Sequence, residues 1–164
     1  MYIKSSLLPL LVLLLIILGP TKLSSASVFD QGPTARGAGG FTNTSPFRPG
    51  VYEFSFEAVA NKNGRAHGRA VFDNLTAQTH IEIKIDCLLV LESNNASING
   101  TVLHSTDPEL PKGTRVVFGA VDDRESPFSD IITPAFPSGT SGCDNFLFPL
   151  TFFQIDGDAI QIEP

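Results

Sequence analysis

The sequence predicts an all-β domain, an antiparallel meander of about seven to nine strands, with a small barrel favoured over a sandwich. Three observations predict it. Apolar and polar residues alternate with period two over several segments. Turn residues, 14 Gly and 12 Pro, are spread along the chain and separate those segments. Phe, at 13, is abundant beside many β-branched residues, and no stretch past residue 26 has a helical period.

Residues 1–26 read as a secretory leader. Lys4 supplies a positive charge, Leu7 to Leu18 is an apolar run broken by Pro9, and Ser24-Ser25-Ala26 offers small residues for cleavage after Ala26. The run is well short of the roughly 20 apolar residues a membrane-spanning helix needs. The closing residues Ala159 to Pro164 have no apolar tail for a lipid anchor. The expected product is secreted, with no membrane attachment after cleavage. Residues 27–49 are rich in Gly, Pro, Thr and Ser and are expected to be a loose segment, with Gly37 to Phe41 entering a first strand. Residues 50–164 are expected to form one β domain.

Within that domain, Val51 to Ala60 alternates, with Tyr52, Phe54, Phe56 and Ala58 on one face and Glu53, Ser55 and Glu57 on the other. Asn61-Lys62-Asn63-Gly64 is a turn, its Asn-Gly pair suited to positive φ. Arg65 to Asp73 follows, with Ala66, Gly68, Ala70 and Phe72 inward. Thr79 to Leu91 points Ile81, Ile83, Ile85 and Cys87 inward, then becomes continuously apolar, which predicts burial on both faces or a bulge. Ala96 to His104 and Thr114 to Val121 are further strands. Ile131 to Gly142 is expected to be a long connection, Phe146 to Gln154 is apolar and aromatic, and Ala159 to Ile162 is the last strand. Pairing the first strand with the last would remove exposed edges.

Matching faces gives a register. Phe54 falls opposite Phe72, Phe56 opposite Ala70 and Glu57 opposite Arg69. The next pair places Arg69 opposite Glu82 and Arg65 opposite Asp86, so a basic strand lies between two acidic ones.

The chain carries 11 Lys and Arg against 17 Asp and Glu, a net charge of −6. Losing Lys4 and Lys22 with the leader makes it more acidic still. Such a surface repels phosphate backbones and anionic membranes, so no nucleic-acid partner and no membrane partner is expected. The partner is expected to be an unknown extracellular one or a small ligand. No glycine-rich phosphate loop or dinucleotide fingerprint occurs, and no cofactor is expected.

Cys87 and Cys143 are the only cysteines. In a secreted chain they default to one disulfide, closing a loop worth about 4 kcal/mol at most on the chain-entropy account. Two free thiols and pairing between chains are the alternatives. His67, His80 and His104 lack any metal-binding spacing and read as surface residues. The acidic segment Asp122, Asp123 and Glu125, with Asp130 nearby, is a weak calcium candidate without EF-hand spacing. Ser138 to Gly142 has no nucleophile-elbow pattern, and no catalytic residue is assigned. Sequons at Asn74, Asn99, Asn95 and Asn43 are candidate glycosylation sites. Phe54, Phe56, Phe72 and Phe118 either line a cavity or simply form core.

A set of ordered pieces resembles a family of small secreted domains that often follow choice-of-anchor modules in bacterial extracellular proteins. The pieces are Ala38-Gly39-Gly40-Phe41, Phe54-Ser55-Phe56 leading to Gly64 and Gly68, Ile85-Asp86-Cys87-Leu88, Ile98-Asn99-Gly100-Thr101, Val116-Val117-Phe118 with Asp122-Asp123, and Asp158-Ala159-Ile160-Gln161-Ile162. The resemblance implies an all-β extracellular domain without an assigned activity. It also implies one cysteine in the third strand and another in a late loop, matching Cys87 and Cys143.

The expected function is a secreted, non-enzymatic β domain acting by binding or by display at a surface or in a matrix. A lipocalin-like barrel holding a small apolar ligand is the first alternative. A barrel-type enzyme with an unrecognised site is the second.

Overall fold

The computed structural model describes residues 32–91, 94–123, 130–139, 143, 152–155 and 159–164. The leader, Glu125 and most of the apolar stretch after Cys143 lie outside the described residues. The described chain is all-β and forms a single antiparallel sheet of ten strands. The strands are β1 (Thr34–Asn43), β2 (Gly50–Ala60), β3 (Arg65–Asn74), β4 (Thr79–Leu91), β5 (Asn95–Ser105), β6 (Arg115–Val121), β7 (Ile131–Ile132), β8 (Phe136–Pro137), β9 (Phe153–Gln154) and β10 (Ile160–Glu163). Their order in the sheet is β10-β1-β2-β3-β4-β5-β6-β7-β9, with β8 pairing β6 off that path. Among the described residues no helix is long and apolar enough to cross a membrane.

Two boundaries differ from the sequence reading. Thr34–Asn43 is a ten-residue strand paired on both sides, so the β domain starts ahead of Gly50 and takes in much of the segment expected to be loose. The segment Ile131 to Gly142 is not a plain connection, because it contributes β7 and β8.

The hairpins form where local chemistry favours them. In the β2–β3 turn, Gly64 sits at φ +74°, and Asn61 Oδ1 accepts the amides of Asn63 and Arg65 at 2.9 and 3.2 Å. In the β3–β4 turn, Asn74 Oδ1 accepts the amides of Thr76 and Ala77 at 3.0 and 2.9 Å.

The β2–β3 register is the predicted one: Phe54 faces Phe72, Phe56 faces Ala70 and Glu57 faces Arg69. The β3–β4 register is not. Arg69 faces Lys84 because the turn pairs Asn74 with Thr79, two residues away from the expected register, and an extra β3 residue between Arg65 and Gly68 then sets Arg65 opposite Cys87. The charge pattern survives diagonally, with Arg69 Nη2 2.6 Å from Glu82 Oε1. Asp86, expected opposite Arg65, pairs with Arg115 instead.

A second irregularity lies between Ile85 and Cys87. It reverses the faces of β4. Ile81, Ile83, Ile85 and Leu88 join the main core cluster, while Cys87 is buried outside that cluster, opposite Asn99. Bulge and double-faced burial thus both occur, and Cys87 does not point inward with the isoleucines. On that outer side it is joined to Cys143, with Cα atoms 5.3 Å apart.

The first and last strands pair, β1 with β10. The sheet is nevertheless not closed into the expected barrel, because β10 and β9 remain its two ends. One end reaches the strand beside the other: Phe153 of β9 stacks on Phe41 of β1, next to β10, with centroids 5.7 Å apart. The outward amides of β10 are bonded to carboxylates. Ile160 N donates to Asp130 Oδ2 at 2.6 Å and Ile162 N to Asp122 Oδ2 at 3.0 Å. A barrel would satisfy those amides with a neighbouring strand; here two aspartates do so.

Candidate functional site

The four rings named as a cavity lining, Phe54, Phe56, Phe72 and Phe118, are at most 5% exposed and pack on one another. Phe118 meets Phe56 and Phe72 edge-on at 5.5 and 5.1 Å, and Phe54 stacks with Phe56 and Phe72 at 6.2 and 6.3 Å. These rings fill the interior as core, and the cavity reading of them is corrected accordingly.

The acidic segment is also corrected. Asp122 and Asp130 are 4% and 1% exposed, and their carboxylates are taken up by the amides of β10. Asp130 Oδ1 further accepts the amide of Asp123 at 2.9 Å. Their oxygens therefore serve the backbone, and among the described residues no group of three His, Cys, Asp or Glu side chains is placed to hold a metal. Glu125 lies outside the described residues.

The three histidines separate. His67 is exposed on β3, and His104 faces Glu82 across β4 and β5. His80 Nδ1 lies 2.7 Å from Asp73 Oδ1, and its Nε2 lies 3.5 Å from Glu82 Oε1. The hydrogen bond to Asp73 raises the His80 pKa above its ordinary value, with Glu82 adding to the effect and partial burial opposing it. For Glu82, desolvation is the largest single influence and pushes the pKa up, but the hydrogen bond and charge of Arg69 together with His80 and His104 outweigh it, and the pKa is lowered.

A buried clamp that the sequence reading missed ties one end of the sheet. Arg48, at φ +51°, has a side chain 6% exposed and forms an ion pair with Asp107, whose side chain is 8% exposed. Its Nη1 donates to Ala135 O at 2.8 Å, and its carbonyl accepts the Tyr52 hydroxyl at 2.8 Å. Burial lowers the Arg48 pKa against the opposing pull of Tyr52 and Glu109, and burial raises that of Tyr52. The clamp joins three separate loops.

Among the described residues, accessible concave surface runs along β1. Its outward residues are Thr34, Arg36, Ala38, Gly40 and Thr42, short side chains apart from Arg36. Three depressions follow one another along that strand, of about 230, 780 and 460 Å³. The strand spans about 30 Å at the usual rise per residue.

The central depression has a simple cause. The register aligns Gln161, Arg36, Glu57 and Arg69 in one row across β10, β1, β2 and β3. The next row is Ala38, Ser55 and Val71. Long polar side chains thus stand beside short ones, and a trough opens between them. Arg36 Nε donates to Gln161 Oε1 at 2.8 Å, and Nη2 donates to the same oxygen, which ties its guanidinium to Gln161. Arg36 and Arg69 are balanced by Glu57 and Glu163 among the residues lining the first two depressions. The surface therefore offers donors and acceptors together with no net charge. The small, alternating outward residues of β1 are the sequence signal that marks this trough.

The chain matches no family model, no curated protein and no solved structure.

Proposed function

We propose that the chain is an exported, non-enzymatic β domain that binds a neutral polysaccharide along the outer face of β1. The observation that carries this reading is the pair of adjoining depressions from Thr34 to Ala38 with their row of Gln161, Arg36, Glu57 and Arg69. An elongated trough suits a polymer. Charge balance disfavours a polyanion or polycation, and the overall charge of −6 further repels polyanions. Planar side chains that donate and accept are matched by sugar hydroxyls, which do both. The floor of Ala38 and Ser55 lets a sugar ring come close to the sheet.

Export rests on the leader pattern in residues 1–26 and is supported by the pairing of Cys87 with Cys143, which an oxidising compartment sustains. The resemblance to secreted domains that follow choice-of-anchor modules agrees with it.

Electrophoresis through gels holding dextran, galactomannan or a soluble β-glucan tests the binding. Retardation by at least one of them is expected. Ser55→Trp, which fills the trough from an exposed position, should abolish it without lowering thermal stability. Equal mobility in every gel contradicts the reading.

A further inference from the structure

The fold sorts the sequons at Asn43, Asn74, Asn95 and Asn99 into two kinds. Asn43 is 2% exposed, and its Nδ2 donates to Phe47 O and Arg48 O at 2.9 and 2.8 Å. Asn74 is 5% exposed and organises the β3–β4 turn through its Oδ1. Asn99 is 2% exposed, enclosed between Cys87 and Val117 on the flanking strands. An oligosaccharide on any of these three would have to occupy space that the folded chain already fills. Asn95, at the start of β5, is partly exposed.

Asn95 also has a second observation in its favour. The hydroxyl of its sequon belongs to Ser97, which is 0% exposed and whose Oγ has no hydrogen-bond partner among the described residues. A buried, unbonded hydroxyl costs stability, and alanine would serve the sheet better. The hydroxyl is what a sequon requires two residues after its asparagine.

We infer that Asn95 is the acceptor of an N-linked oligosaccharide. The donor is a lipid-diphosphate-linked oligosaccharide of the export pathway. Asn95 Nδ2 forms a bond to the sugar C1, the bond from C1 to the phosphate oxygen breaks, and the lipid diphosphate leaves with that electron pair. The amide proton passes to a base of the transferase. The chain is modified before it folds, so burial of Ser97 in the finished sheet is no obstacle. This inference rests on the export proposed above.

The test expresses the full chain in a eukaryotic secretory cell, recovers protein from the medium and reads two masses. The mass of the N-terminal peptide reports removal of the leader. Enzymatic deglycosylation in heavy-oxygen water marks each glycan-bearing asparagine. The expected result is a cleaved leader and a mark at Asn95. Ser97→Ala should remove the mark and leave the melting temperature of the deglycosylated protein unchanged or higher. Exported protein bare at Asn95 overturns this inference alone, as does folded protein marked at Asn43, Asn74 or Asn99. A chain kept in the cytosol with its leader overturns both this inference and export, because the donor is absent there.

Discussion

Asp130 Oδ2 accepts the amide hydrogen of Ile160 at 2.6 Å, with Asp130 itself 1% exposed. That bond, with its neighbour from Ile162 to Asp122, is how the outward edge of β10 is satisfied without a further strand. Asp130→Ala frees the amides of Ile160 and Asp123 in a buried place and should cost about 3 kcal/mol. Asp130→Asn keeps an acceptor and should cost less. Urea unfolding of the three proteins checks the order; equal midpoints would remove the seam from the account.

Arg48→Ala should cost about 3 kcal/mol, since it leaves Asp107 buried without its cation. Arg48→Ala combined with Asp107→Ala should recover part of that loss. Unfolding midpoints of the single and double variants give the coupling, and strictly additive losses would refute the clamp.

Cys143→Ser opens a loop whose ends are 56 residues apart. On the chain-entropy account the loss is about 4 kcal/mol. The unfolding midpoint of Cys143→Ser in buffer without reductant measures it, and an unchanged midpoint would mean that the pairing does not constrain the chain.

His80 gives the domain a pH dependence of known sign. Its folded pKa is raised above 6.5 by Asp73 and Glu82. Its contribution is therefore fully present below the unfolded value and is lost as pH rises through the folded one. The group is partly exposed, so the slope is shallow. Unfolding free energies measured from below pH 6.5 upward should fall in that window for the native chain, and the fall should flatten in His80→Gln. A native chain whose stability rises across the same window would contradict the pairing.

Much of the sheet was legible because period-two alternation specifies both strand and face. Phe54 opposite Phe72 follows from it directly. The same reasoning misplaced Arg65 and Asp86, since alternation fixes faces but not register: a pairing two residues off keeps every face the same, and the turn that sets Asn74 opposite Thr79 decides between them. β7, β8 and β9 escaped because two residues are too few to show a period. Barrel closure failed for a chemical reason: Asp122 and Asp130 read as a solvated acidic loop, whereas their carboxylates replace a missing strand. The Arg48–Asp107 pair joins residues far apart in sequence, and no local pattern announces it. The trough was written in the small outward residues of β1, but a Gly-rich segment reads first as loose chain.

The most direct measurement of the central claim is a titration of the isotope-labelled protein with a soluble neutral glucan, followed by its amide resonances. The expected shifts are confined to Arg36, Ala38 and Gly40 of β1 and to Ser55, Glu57 and Gln161 beside them, with the resonances of the buried Phe72 and Phe118 unmoved. Shifts centred away from β1, or none with the glucan, galactomannan and dextran alike, would contradict it.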